Sequence, residues 1–335
     1  MKAVRFQSPG SPEQVLTLES IETPRPAHGE VLVRMLQSPI NPSDLMFVRG
    51  KYTIAAECPA TPGFEGVGIV ESSGGGLKGR LFQGKRVAVL NKRGGNWAEY
   101  VTVPASQVIP VSSQLTTEQA ATFFVNPATA WVMTQEVLRV PRQEWLVQTA
   151  AGSALGRMII RLGRLQGFKT LNIVRRAEVA EELRGLGADH VEVFDERMDS
   201  QELVRRIHSV TGSAGVQYAI DAVGGVTGSA IVESLGINGR MLAYGTLSNE
   251  PLSFSPRTLM TVGSQVEGFW LGNFMSKRGL LFKLSLVRKL TQLISTGVLG
   301  SEVASSFAPE QIREAVKAAE DSSHTGKILL RIASA

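Results

Sequence analysis

The stretch QTAAGSALGRMIIRLGRLQGFKTLNIVRRAE, residues 148–178, sets a run of small residues between a strand-like and a helix-like segment. That order makes an anion site. A helix N-terminus offers N–H groups and a partial positive charge, and small side chains let a pyrophosphate approach the backbone. Gly152, Ser153, Ala154 and Leu155 are the candidate phosphate contacts. Gly156 can serve the contact between helix and strand. Ala154 stands where a glycine is common, so its backbone is predicted to stay at negative φ. A turn of this kind also arises from packing alone. About twenty residues further on, an NAD site places an acid on the ribose hydroxyls. Here Arg175 and Arg176 stand instead. Guanidinium groups attract a 2′-phosphate that a carboxylate would repel. The pattern therefore points to NADP(H), against the alternative that the two arginines are merely solvated.

Metal chemistry has few ligands to draw on. Cys58 is the only cysteine, which excludes an internal disulfide and a four-thiolate zinc site. The four histidines (His28, His190, His208 and His324) do not cluster in the N-terminal half. Cys58 is expected to be a small buried apolar residue. Tyr100 and Tyr218 lie in strand-like runs and are expected in the core. Tyr244 precedes Gly245 at a strand end, which suits cofactor contact.

The chain has 335 residues, 43% hydrophobic and 19% charged, enough for about two domains with real cores. The basic excess, 35 Lys and Arg against 30 Asp and Glu, is scattered. With no basic and aromatic stripe, a small polyphosphate ligand is a better partner than nucleic acid. MKAVRFQSPG enters a strand-like segment directly, and no apolar run reaches membrane-span length. The expectation is a cytoplasmic protein with no leader and no membrane contact.

These residues need two kinds of support. Residues 1 to about 120 are rich in short β signals: EVLVRMLQSPINPSD, broken at Pro39 and Pro42, then GVGIVESSGGG, GKRVAVLNKRGG and NWAEYVTVP. From about 144 the rhythm changes. EWLVQTA, KTLNIVRR, HVEVF, VQYAIDAVGG and RMLAYGTL read as strands. LGRMIIRLGRLQG, AEVAEELRGLGAD, SQELVRRIHSVTG and GSAIVESLGING read as the helices between them. The second helix should end at Gly185 or Gly187. Such alternation implies a parallel sheet covered on both faces. APEQIREAVKAAEDSSHTGKILLRI reads as helix, turn and strand, and KILLRI is expected to return to the first domain.

This order resembles the medium-chain dehydrogenase/reductase superfamily over essentially the whole chain. The resemblance implies an α/β protein. Residues 1–122, completed by about 270–335, would form a β-rich GroES-like barrel domain. Residues 123–269 would form a doubly wound Rossmann domain binding NADP(H), with the nicotinamide in the cleft between them. PGFEGVG (62–68) matches the superfamily's Gly-His-Glu segment, but Phe64 stands at the histidine that alcohol dehydrogenases give to zinc. A zinc-independent reductase of an activated C=C or a quinone is expected.

Within that branch, INPSDLMFVRGKY (40–52), FFVNPATAWVMT (123–134), TLNIVRR (170–176) and GFWLGNF (268–274) resemble the mitochondrial-type 2-enoyl thioester reductases. The resemblance implies reduction of trans-2-enoyl thioesters of CoA or acyl carrier protein. Hydride adds at Cβ, and Tyr52 protonates Cα. A phenol suits that step because it is neutral at pH 7 and reaches into an apolar cleft. Asn41 would contact the cofactor, Asn126 and Thr129 would face the nicotinamide end, and Tyr244, Gly245, Thr246 and Leu247 would run along the cofactor. Phe269, Trp270 and Leu271 would line the cleft, and Lys327 would add a cationic contact. Two departures stand out. Gly152 and Ala154 replace the family's usual Asn and Gly, and Thr53 follows Tyr52 where Pro is frequent. Two other readings share the fold: an NADPH:quinone oxidoreductase, and a crystallin-like protein that binds NADPH without turnover. Pairing through an edge strand of the nucleotide domain implies a homodimer.

Overall fold

The computed structural model describes residues 1–195, 197–321 and 325–333. His324 lies outside the described residues. In chain order the strands are β1 (Lys2–Arg5), β2 (Thr17–Ser20), β3 (Glu30–Pro39), β4 (Glu65–Ser73), β5 (Arg86–Leu90), β6 (Tyr100–Pro104), β7 (Val108–Pro110), β8 (Trp145–Gln148), β9 (Lys169–Val174), β10 (His190–Val193), β11 (Val216–Asp221), β12 (Leu235–Ala243), β13 (Gln265–Gly268), β14 (Val303–Phe307) and β15 (Lys327–Arg331). The chain divides into two compact units, Met1–Val125 with Leu290–Ala335, and Asn126–Lys289. The return to the first unit thus falls at Leu290, some way beyond the expected 270.

The first unit is built around β3. Its residues alternate between two cores: Val31, Val33 and Met35 enter one cluster and Leu36 another. Period-two side chains on a strand buried on both faces explain the run EVLVRMLQSP. The sheet runs β14-β15-β3-β4-β5-β7, and β6 also pairs with β3. Pro42 begins the helix Pro42–Val48, where its missing N–H costs nothing. β15 pairs antiparallel with β3, Leu330 opposite Ser38, so KILLRI does return to the first unit.

The second unit is a six-stranded parallel sheet in the order β10-β9-β8-β11-β12-β13. The order reverses between β8 and β11, and the loops at the carboxyl ends flanking such a point form the ligand crevice of doubly wound sheets. Leu171 and Ile173 of β9 join a core with the helices Ser200–Thr211 and Gly225–Ser234. Val174 joins a second core with the helices Ala154–Gln166 and Ala177–Leu186. The helix Ala177–Leu186 ends at Gly187, which takes the left-handed C-cap conformation that Gly185 does not need.

Three expectations are corrected. Cys58 is exposed, because it lies in the irregular segment after the helix Pro42–Val48 and no element carries it inward. Tyr100 and Tyr218 are half-buried. Each is on its strand as expected, but a tyrosine keeps its hydroxyl end within reach of water. LGING, read as the end of a helix, begins β12. Pairing with β11 overrides the local signal, and a register shift between Val216 and Tyr218 accommodates Asn238 at positive φ. No helix among the described residues is long and apolar enough to cross a membrane.

Candidate active site

The small-residue loop joins β8 to the helix Ala154–Gln166. Ala151 N–H donates to the Ile173 carbonyl at 3.3 Å, tying the loop to β9. Ser153 is the N-cap and accepts from Gly156 N–H at 3.1 Å. Ala154 opens the helix, and its φ is not in the left-handed region. A Cβ on Gly156 would lie 2.6 Å from Ala151 Cα, so a glycine is needed for close packing, here of helix on loop and not, as expected, of helix on strand. A Cβ on Gly152 would meet Val179 Cγ1 at 2.6 Å, which places the loop against the helix that follows the two arginines.

Sequence reasoning missed Arg157. Its Nε donates to the Gly152 carbonyl at 3.0 Å, and it pairs with Glu182 while nearly fully buried. This guanidinium holds one loop carbonyl turned toward the protein. Its signal was only a charged residue inside an apolar helical run. It also missed the strain at Ala150, whose φ is 48°. A left-handed alanine where strand passes into loop stores conformational energy.

Arg175 is exposed at the carboxyl end of β9, and Arg176 is the half-buried N-cap residue of the helix Ala177–Leu186. The Asp195 carboxyl is held below its usual range, chiefly by hydrogen bonds from Arg197 and in small part by Arg175. Arg175 therefore lies within electrostatic reach of an anion beyond β10.

Across the sheet, Asp221 ends β11 and is buried. Its carboxylate accepts from Thr149 Oγ1 at 2.6 Å and from the N–H groups of Val223 and Gly224 at 3.0 and 2.9 Å. Its backbone carbonyl accepts from Tyr244 N–H at 2.8 Å, and the Ala222 carbonyl accepts from Leu247 N–H at 3.0 Å. These bonds lay Tyr244, Gly245, Thr246 and Leu247 along the carboxyl end of the sheet. A Cβ on Gly245 would come within 2.7 Å of the Ala222 carbonyl oxygen. Desolvation, helped by the Asp221 charge, pushes the Tyr244 phenol up, so it stays protonated at neutral pH.

Phe269 N–H donates to the Ala243 carbonyl at 2.8 Å, so Phe269, Trp270 and Leu271 leave β13 beside that segment. Trp270 is half exposed at the start of the helix Leu271–Ser276. Asn126 is half-buried and Thr129 buried on the helix Val125–Trp131, which passes directly into a π-helical turn, Val132–Val137. Such turns recur at functional sites.

In the first unit, Tyr52 stands beside Phe64 with ring centroids 5.2 Å apart, and Phe64 stands edge-on to Phe47, also at 5.2 Å. Phe47 in turn meets Phe6 at 5.7 Å. The residue at the zinc histidine's position is thus part of an aromatic column with the candidate donor at its end. No group of three or more His, Cys, Asp or Glu among the described residues is placed to hold a metal ion. Asn41 and Lys327, 286 residues apart, are brought together: Lys327 Nζ donates to Asn41 Oδ1. Beside them are two buried carboxylates that sequence reasoning did not single out, Asp44 and Glu65. Burial pushes the Asp44 carboxyl up to about 7 against two backbone hydrogen bonds, and pushes Glu65 up as well. Burial likewise pulls the Lys327 ammonium down, while the two carboxylates oppose that shift.

Residues 27–113 match the alcohol dehydrogenase GroES-like domain, and residues 154–285 match the zinc-binding dehydrogenase family. The mitochondrial enoyl-[acyl-carrier-protein] reductase of Arabidopsis thaliana is 33% identical over 280 residues, covering 82% of this chain and 73% of the relative. A candidate NADPH:quinone reductase from Bacillus thuringiensis superposes with a TM-score of 0.90 at 31% identity over 99% of both chains. A mycobacterial protein solved in complex with NADPH superposes with a TM-score of 0.89 at 26% identity, covering 99% of this chain and 100% of that one. With its GroES-like and parallel-sheet units, and with relatives among the enoyl-[acyl-carrier-protein] reductases, the chain belongs to the medium-chain dehydrogenase/reductase superfamily of oxidoreductases.

Proposed function

We propose that the protein is an NADPH-dependent reductase of an activated C=C, acting on a trans-2-enoyl thioester without zinc. The observation that carries the reading is Tyr52, half-buried at the end of an aromatic column that includes Phe64. The residues fit a dinucleotide. Gly156 and Gly245 leave no room for a Cβ against neighbouring backbone, and Gly152, Ser153, Ala154 and Leu155 open a helix. Arg175 and Arg176 would hold a 2′-phosphate, and Tyr244, Gly245, Thr246 and Leu247 would run along the cofactor. Asn41, Asn126, Thr129, Phe269, Trp270, Leu271 and Lys327 would serve the nicotinamide end. Bound NADPH supplies the hydride that Cβ of the conjugated thioester accepts. Tyr52 then holds the proton for Cα. A phenol is neutral at pH 7, so the proton is available for that step, and the Phe64 ring beside Tyr52 orients it.

The test is NADPH oxidation with trans-2-hexenoyl-CoA, comparing wild type with Tyr52→Phe. Loss of about 10²–10⁴ in kcat in the variant, the usual worth of a positioned acid, supports the reading. The similarity to a candidate quinone reductase over 99% of both chains favours a second reading, NADPH:quinone oxidoreductase. In that case the thioester is inert, a quinone is reduced, and Tyr52→Phe changes nothing. The protein is further proposed to be cytoplasmic and to pair as a homodimer through the edge strand β13.

A further inference from the structure

Two carboxylates and one ammonium lie together in the first unit. Asn41 is 4% exposed, Asp44 0% and Glu65 3%. Charges shut from water are costly unless their bonds are made. Asp44 makes its bonds locally, accepting from Asn41 N–H at 2.7 Å and Phe64 N–H at 3.0 Å. Glu65 reaches further. One oxygen, Oε1, accepts from both Phe124 N–H at 2.8 Å and Val125 N–H at 2.7 Å. These groups open the helix Val125–Trp131, whose first N–H groups have no partner within the helix. The other oxygen is 3.5 Å from Asn41 Nδ2, and Asn41 Oδ1 receives the Lys327 ammonium.

We infer that Glu65 is a positioning residue: its buried carboxylate fixes the start of the helix carrying Asn126 and Thr129 and, through Asn41, the ammonium of Lys327. The inference rests on the proposed assignment of those four residues to the nicotinamide end. A single oxygen accepting two N–H bonds at a positive helix end is best served by an anion. The same anion offsets the charge of Lys327. Glutamine in its place would keep the length and one accepting oxygen but lose the charge. The groups around Lys327 are Glu65 from β4, Asp44 from the helix Pro42–Val48, and Glu302 before β14, whose carbonyl accepts from Lys327 N–H.

The experiment is NADPH binding followed by nicotinamide fluorescence from pH 6 to 10, for wild type, Glu65→Gln, Lys327→Met and the double variant. Glu65→Gln should weaken binding about tenfold or more, a buried charged bond's usual worth. The pH at which binding fades should move down, because the ammonium loses one of the two carboxylates that favour its charge and deprotonates earlier. In the Lys327→Met background the shift in pH midpoint should vanish. A carboxylate with a purely structural role would lower the melting temperature and leave the pH midpoint where it was. If Glu65→Gln binds NADPH with wild-type affinity and pH midpoint, the positioning role is overturned while the proposed function stands. If the wild type binds no NADPH, both fall.

Discussion

At the residue scale, the 2′-phosphate assignment is carried by Arg175 and Arg176 at the carboxyl end of β9. Changing both to alanine should raise the KM for NADPH about 10- to 100-fold, the worth of one or two charge-assisted hydrogen bonds, and leave that for NADH nearly unchanged. Steady-state kinetics with both cofactors checks this, and equal losses would remove the assignment. These two residues stand out in the sequence because they break a spacing rule. Arg157, which holds the Gly152 carbonyl, was not. An arginine in an apolar helical run reads as solvated until folding shows the carbonyl and carboxylate it meets. Asp44 and Glu65 were equally hidden. Their partners are backbone N–H groups, which carry no residue-type signal, and for Glu65 they lie 59 and 60 residues away.

Elements with strong periodicity were readable. Apolar spacing marked the helix Ala154–Gln166, and apolar runs marked β8 and β9. The start of β12 was missed because pairing with β11, a tertiary term, outweighs the helical reading of LGING. The loop between β8 and its helix gives a test at this scale. Gly156→Ala would add a Cβ 2.6 Å from Ala151 Cα, against backbone that cannot swing aside. The overpacking should cost about 1–3 kcal/mol, more than the roughly 1 kcal/mol of helix propensity gained. Urea midpoints should fall and NADPH binding weaken together. A variant as stable as wild type would mean that the loop tolerates a different backbone path.

For the molecule as a whole, Asp44 ties stability to pH. Burial pushes its carboxyl up from the ordinary 3.8 to about 7 in the fold. Between those values the folded state holds a proton that the unfolded chain has lost. Stability from this group is therefore complete at low pH, declines as pH rises from about 4 to about 7, and is flat beyond. At 1.36 kcal/mol per pH unit, about 3 kcal/mol should be lost between pH 5 and 8. Glu65 acts in the same direction and Lys327 in the opposite one, so the comparison that isolates Asp44 is urea unfolding of wild type against Asp44→Asn. The variant should show a flatter decline over that range, and parallel curves would refute the assignment.

Assembly belongs to the same scale. β13 ends the parallel sheet with one side unpaired by any described strand. An open edge is a template for another strand. The helix that precedes it, Pro256–Val262, buries none of its residues and presents Met260 at 80% exposure. An edge strand beside exposed apolar side chains suits an isologous contact, in which each protomer offers the same strand and helix to the other. Sedimentation equilibrium should therefore give twice the 36.1 kDa chain mass. Met260→Asp should shift the protein toward monomer without loss of fold, because so exposed a side chain contributes little to the core of its own chain. A dimer unaffected by Met260→Asp would move the contact to another face, and a wild-type monomer at micromolar concentration would end the edge-strand proposal.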